Sequence, residues 1–482
     1  MSHDLPADEF RAAMHRVADL VADYLEGVGD RPVLPPVTPG DVRRALPASP
    51  PDGPVPIDTI LDDYVRLIEP NVTHWNHPGF LAYFSITGSG PGILGEALAA
   101  ALNNNAMLWR TGPAPTELEE QVCAWLAEMM GLPPDFRGHI NDTASSSSLV
   151  ALAAARHSLP IGVRVQGLAG RPEVPALTVY CSDQAHSSID KSAIVLGVGQ
   201  ENVRRIATDG DFRMSVPALA EAVARDRAAG KLPMAIVATV GSTSTTSIDP
   251  VSEIADLCAR EGIWLHVDAA YAGSAAICPE YRALMTGIER ADSLVVNPHK
   301  WLFTPVDCSV LFVRDPALLK GAFSLVPEYL RTGESSDVTN LMDLGFQLGR
   351  RFRSLKLWMV IRAFGVEGLR ERIRHHCAMA RDLAGRIEAD PRFELAAPVP
   401  FSTVCFRARP LKSAGSPEEQ DRLNERLMAW VNAAGPFFLS HTGLQSRFTL
   451  RVAIGNLRTE PVHIAALWEL LTRSLDEPET RT

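Results

Sequence analysis

The stretch "SLVVNPHKWLF", residues 293 to 303, decides the fold. Ser293 to Val296 are apolar and β-branched enough for an interior strand. The next residues are Asn297, Pro298, His299 and Lys300: an amide, a proline that cannot extend a ladder, an imidazole and an amine. In open α/β sheets ligands gather beyond the carboxyl ends of strands, so a buried strand that stops on such groups points to a sheet and to a site.

Outward from this strand the pattern repeats. "LTVYCSD" (177–183), "NVRRIATD" (202–209), "MAIVATV" (234–240), "IWLHVDAA" (263–270) and "CSVLFVRD" (308–315) are spaced by helical segments, one of them with Ser215 placed as N-cap. This alternation predicts an α/β fold with a parallel or mostly parallel sheet and helices on both faces. Before it, residues 10–27 show helical periodicity, and the proline-punctuated stretch 31–58 is expected to lie as an extended arm. After it, a long helical stretch past Leu355 leads to strands at 402–410 and 448–456, a smaller α+β unit. The expected division is an N-terminal arm over 1–85, a large domain over 86–370 and a small domain over 371–482.

The bulk properties narrow the function. With 46% apolar and 21% charged residues in 482, the chain is an ordinary globular protein, and a formal charge of −11 disfavours nucleic acid or an anionic membrane as partner. A small-molecule substrate is expected. Seven scattered cysteines without a CxxC pair imply reduced core thiols, with neither a disulfide framework nor a zinc site. The acidic start lacks the pattern of a signal peptide and no segment is long and apolar enough to span a membrane, so a cytoplasmic location is expected.

Three strand ends carry distinctive groups: Asp268, with Ala269, Ala270 and Gly273 behind it; Lys300; and Asp183 with His186. A carboxylate, an amine and an imidazole with small residues between them suit a flat cationic aromatic cofactor that needs a covalent tether, which describes pyridoxal phosphate. Lys300 would form the tether, Asp268 would keep the pyridine nitrogen protonated, Ala270 would lie under the ring and His186 would stack on its other face. The serine-rich turn "NDTASSSS" (141–148) opening a helix is the candidate phosphate cradle, through Ala144 and Ser145, with Asn297 and His299 approaching from the lysine side.

The motifs "VTHWNHPGF" (72–80), "PTELE" (115–119), "SDQAHSSIDKSA" (182–193), "DGDFRM" (209–214), "WLHVDAAYAGSA" (264–275), "NPHKWL" (297–302) and "LGRRFRSLKLW" (348–358) run in order through the chain. In them the sequence resembles the group II pyridoxal-phosphate-dependent amino-acid decarboxylases, and within these the aromatic-L-amino-acid decarboxylases. The resemblance implies fold type I, with a mostly parallel seven-stranded sheet in the large domain, a small C-terminal domain, and a homodimer whose N-terminal helical arm wraps the partner. It assigns Lys300, Asp268 and His186 the roles given above, puts Thr239 near the ring, and makes Ser145, Asn297 and His299 phosphate contacts. It also implies a substrate pocket drawn from Trp75, Tyr83, Phe84, Met107 and Trp109, with Gly349 at a position where glycine accompanies indolic substrates. Tryptophan or 5-hydroxytryptophan is therefore favoured, with phenylalanine, tyrosine and dopa open. The bond at Cα that stands perpendicular to the ring is the one that breaks, so the orientation of the carboxyl group selects decarboxylation.

Two departures from the family pattern stand out. The family's active-site loop carries a tyrosine, whereas residues 331–347 hold none; Leu341 or Leu344 stands in its place, with Tyr329 just upstream. Aldehyde synthases of the family also lack that tyrosine, so oxidative decarboxylation-deamination to aldehyde, ammonia and peroxide is the alternative outcome. Asp142, beside the phosphate turn, would repel a phosphate unless it acts as a cap. Two further readings are a catalytically silent dimeric scaffold and, on fold alone, an aminotransferase using Arg447 or Arg451 for a carboxylate.

Overall fold

The computed structural model describes residues 4–325, 338–409 and 416–475. Its central sheet has seven strands: β1 (Arg137–Asn141), β2 (Leu177–Ser182), β3 (Val203–Ile206), β4 (Leu232–Thr239), β5 (Trp264–Asp268), β6 (Ser293–Val296) and β7 (Ser309–Val313). They lie in the order β1-β7-β6-β5-β4-β2-β3. All neighbours are parallel except β7, which is antiparallel to both β1 and β6. The exception has a local cause: the connection from β6 to β7 holds only the single turn Pro298–Trp301, too little helix to cross back over the sheet.

Successive side chains of a strand face opposite sides, and β4 shows the result directly. Ala235 and Val237 enter one apolar core with Val179, Cys181 and Leu311, whereas Ile236 and Ala238 enter the other with Leu265, Val267 and Leu294. A sheet buried on both faces explains the continuous apolar runs from which the strands were read. Ser215 caps its helix as expected, its hydroxyl accepting from the Ala218 N–H.

A second, antiparallel sheet is built from β8 (Phe393–Leu395), β9 (Thr403–Ala408), β10 (Ser440–Leu444) and β11 (Arg447–Ala453), in the order β10-β11-β9-β8. The helices Pro417–Ala433 and Pro461–Ser474 cover it, the first opened by a Ser416/Glu419 capping box. The long helix Ser354–Ala389, broken at Gly365 (φ 63°), connects the two sheets. Leu81, far away in sequence, is packed in the core of this smaller unit. At the N-terminus a helix spans Ala7–Gly27, and within 31–58 the only regular elements are the short helix Asp41–Ala45 and the start of the next helix, Ile57–Asp63. All seven cysteines are buried and free. Among the described residues no helix is long and apolar enough to cross a membrane, and no group of side chains is arranged to hold a metal ion.

Candidate active site

The parallel strands β6, β5, β4 and β2 deliver their carboxyl ends side by side. Asp268, the last residue of β5, pairs in register with Thr239 of β4 on one side and Val295 of β6 on the other. Lys300 follows β6 within the turn Pro298–Trp301, and His186 follows β2. One cavity of about 240 Å³ is lined by Lys300, Asp268, His186, Ala270, Thr239, Asn297, His299, Ala144, Ser145 and Phe84. Nine positions read from the sequence as cofactor contacts thus meet in a single place, with Phe84 of the expected pocket beside them.

The electrostatics follow from burial. Packing around the Lys300 amine lowers its pKa, and the buried guanidinium of Arg451 lowers it further against the opposing pull of Asp268. One Asp268 oxygen accepts the Ala270 N–H at 3.1 Å, which fixes the carboxyl plane. Nδ1 of His186 accepts the Ser188 N–H at 3.1 Å, so in the neutral ring the proton sits on Nε2. Although solvent reaches this ring, desolvation lowers its pKa, with Lys300 adding to the effect and Asp268 opposing it. His299 is held in the same tautomer: Nδ1 accepts the Cys308 N–H at 2.9 Å, and burial drives its pKa down to about 3.

Pyridoxal phosphate fits these residues. Among the described residues the Thr239 hydroxyl and the Asn297 carboxamide oxygen are buried without a hydrogen-bond partner, a costly arrangement unless a ligand completes it. The helix Ala144–Ser158 starts at the cavity with no side-chain cap, leaving its first N–H groups to an anion. The Asp142 carboxylate accepts the N–H of Thr143 at 2.5 Å and the amide of Gln347 at 3.2 Å, and Asp142 is not part of the cavity wall.

Several contributors were not read from the sequence: Thr143, Ser188, Gly241, Thr243 and Tyr271 also line the cavity. Gly241 has φ +84°, and a Cβ there would stand 2.4 Å from that of Ala272. Tyr271 lies between Phe84 and Trp301, with ring centroids 3.8 and 4.6 Å away. Behind Thr239, the buried carboxyl of Asp249 accepts the N–H of Thr239 at 2.8 Å and that of Met214 at 2.7 Å. Burial pushes its pKa up to about 7, with Asp183 and Asp209 adding to the rise.

The expected substrate pocket is assembled only in part. Tyr83 and Phe84 line a second cavity of about 320 Å³ that shares Lys300, His186 and Thr243 with the first, and Trp75 stands behind Tyr83 at 6.0 Å between ring centroids. Met107, Trp109 and Gly349 line neither cavity: Met107 packs on Leu108 and Met342, and the nearest atom to a Cβ on Gly349 belongs to Asn105. Leu341 and Leu344, read as standing where the family has its loop tyrosine, are buried in the large-domain core and line neither cavity. Tyr329 and residues 331–337 lie outside the described residues.

An amine, a carboxylate and an imidazole at the ends of the parallel strands β6, β5 and β2, with an uncapped helix start at the same cavity, define a pyridoxal-phosphate-dependent enzyme of fold type I. Residues 39–409 match the family model described as the pyridoxal-dependent decarboxylase conserved domain. Tryptophan decarboxylase 1 of Oryza sativa subsp. japonica is 40% identical over 98% of this chain and 95% of its own, and phenylacetaldehyde synthase of Arabidopsis thaliana is 41% identical over 97% and 96%. The solved structure of Oryza sativa TDC with PLP and tryptamine superposes with a TM-score of 0.95 at 40% identity, covering 99% of each chain. The chain belongs to the pyridoxal-dependent decarboxylase family, and its activity is that of a pyridoxal-phosphate-dependent carboxy-lyase.

Proposed function

We propose that the protein decarboxylates an aromatic L-amino acid, tryptophan or 5-hydroxytryptophan before phenylalanine, tyrosine and dopa, to the corresponding amine and carbon dioxide. The observation that carries this reading is the meeting of Lys300, Asp268 and His186 in a cavity that opens onto Phe84 and Tyr83. Relatives named for tryptophan decarboxylation support the choice of substrate.

Pyridoxal phosphate, once bound, supplies an electron-withdrawing ring that takes up the electron pair left at Cα when the carboxyl group departs. Lys300 would hold the aldehyde carbon of the cofactor, its lowered pKa favouring the free base that such attachment requires. Asp268 keeps a proton on the ring nitrogen. Ala270 leaves room beneath the ring, which a larger side chain would occupy, and Thr239 offers its free hydroxyl beside it. Ala144 and Ser145 offer N–H groups to the phosphate, joined by Asn297 and by the Nε2–H of His299.

The proton returned to Cα comes from His186 or from Tyr329. Tyr329, just before the segment that lacks a tyrosine, is the loop phenol to test for this step, beside Tyr83 in the cavity wall. The aldehyde-synthase alternative stands beside this reading, because residues 331–347 hold no tyrosine and a phenylacetaldehyde synthase is among the relatives.

We further place the enzyme as a homodimer in the cytoplasm. The helix Gly90–Leu102 exposes Leu94, Leu98 and Leu102 at 60%, 54% and 65%, a stripe at helical spacing that a second copy would cover. That copy would bring Met107 and Gly349 to the pocket they do not reach within one chain. Seven reduced, buried thiols accord with a reducing compartment.

The test is borohydride reduction followed by peptide mass spectrometry, together with product analysis on a panel of aromatic amino acids. A phosphopyridoxyl group on Lys300, and amine with carbon dioxide but no peroxide, is expected. A label elsewhere or none would favour the scaffold reading, and stoichiometric peroxide would make the enzyme an aldehyde synthase.

A further inference from the structure

The pocket segment Gly79–Tyr83 is threaded into the small domain. The N–H of Phe438 donates to the Gly79 carbonyl, the N–H of Leu81 donates to the Phe438 carbonyl, and the N–H of Ala453 donates to the Leu81 carbonyl, at 2.9, 3.0 and 2.8 Å. Gly79 permits the approach, since a Cβ there would stand 1.9 Å from the Pro436 carbonyl oxygen. The backbone ladder stops at Leu81, and side chains continue it. The N–H of Tyr83 donates to Ser440 Oγ at 3.3 Å, and Arg451 Nη1 donates to the Tyr83 carbonyl at 2.5 Å.

Tyr83 needs holding. It has φ 52°, in the left-handed region that a non-glycine residue occupies at a cost, and the residue is 55% exposed. The two residues that hold it face each other across β10 and β11 in direct register, Ser440 opposite Arg451. Arg451 is 3% exposed, makes no ion pair among the described residues, and bonds instead to the carbonyls of Tyr83 and Ser244. Its guanidinium lies 4.7 Å from the Phe84 ring centroid. A buried cation kept on two carbonyls and a ring is a costly device, and both carbonyls belong to segments that line the substrate-side cavity.

We propose that Ser440 and Arg451 form a two-point clamp on the Tyr83 backbone, through which the small domain sets the shape of the aromatic wall and thereby which side chain the enzyme accepts. They are positioning residues, and the clamp rests on the reading that Tyr83 meets the substrate side chain.

A double-mutant cycle on the holoenzyme tests it, with L-tryptophan and L-phenylalanine as substrates. Ser440→Ala should raise KM for L-tryptophan about 3- to 10-fold with kcat within about 2-fold, Arg451→Lys should raise KM likewise, and both should change the preference between the two substrates. In a Tyr83→Gly background, where glycine takes φ 52° freely and no ring remains, the same two substitutions should add almost nothing. Ser440→Ala removes one oxygen and carries the test if the arginine variant folds poorly by circular dichroism. Full additivity on Tyr83→Gly would overturn the clamp while leaving the pocket reading intact. An unchanged KM for L-tryptophan in Tyr83→Gly alone would remove the pocket role of Tyr83 and the clamp with it.

Discussion

Replacing Asp249 by asparagine tests the buried architecture behind the active site. Asp249 is 3% exposed, holds two backbone N–H groups, and has its pKa raised from 3.8 to about 7, chiefly by burial. A carboxyl whose folded pKa lies above its unfolded value contributes stability that is fully present below pH 3.8 and is lost as pH rises through about 7. Over that window the loss is on the order of 4 kcal/mol, since each pH unit of displacement is worth about 1.4 kcal/mol. Asparagine does not titrate and escapes this loss, but it offers one acceptor to two donors and turns its own NH₂ towards one of them, costing roughly 1–3 kcal/mol at every pH. Asp249→Asn should therefore unfold below the wild type near pH 4.5, and match or exceed it near pH 8. Thermal unfolding followed by dye fluorescence at one scan rate, in buffers from pH 4.5 to 8, measures the gap. A gap that stays constant across that range would refute the reasoning, because the carboxyl would then be titrating as though it were exposed.

Glu119→Gln should lower the unfolding temperature markedly: Glu119 and Arg350 form an ion pair at 2.6 Å with side chains 2% and 5% exposed, and leaving the guanidinium unpaired costs roughly 3–5 kcal/mol. The same thermal assay at pH 7.5 checks it. Tyr329→Phe should shift the products from amine towards aldehyde, ammonia and peroxide, measured by chromatography and a peroxidase-coupled assay in one reaction. Amine at an unchanged rate would assign the proton to His186 alone.

Much of the candidate site was legible because its residues follow strands, and strands buried on two faces write themselves as apolar runs. Asp268 and Lys300 close such runs and His186 follows one a few residues on, so a topological rule about strand ends was enough to group them. The first strand, Arg137–Asn141, was not legible: "RGHIN" has only one apolar β-former, and its burial comes from a place in the sheet that sequence does not display. The reversal of β7 was hidden too, since strand direction depends on the length of the connecting turn. Met107 and Gly349 were read into the pocket by likeness, and likeness does not say which copy of a chain supplies a wall. Arg451 and Ser440 matter through the backbone of a residue more than 350 positions away, and no local pattern announces such a contact.

The anchoring of Tyr83 to a different sheet from Lys300 has a mechanical consequence. Lys300, Asp268 and His186 close or follow strands of the seven-stranded sheet, while the residues proposed to hold Tyr83 stand on the four-stranded one, joined to it by a helix with a glycine break at position 365. Substitutions around Ser440 can retune what is admitted while the groups that would bind the cofactor stay in place. A lineage built this way can change its diet while keeping its chemistry.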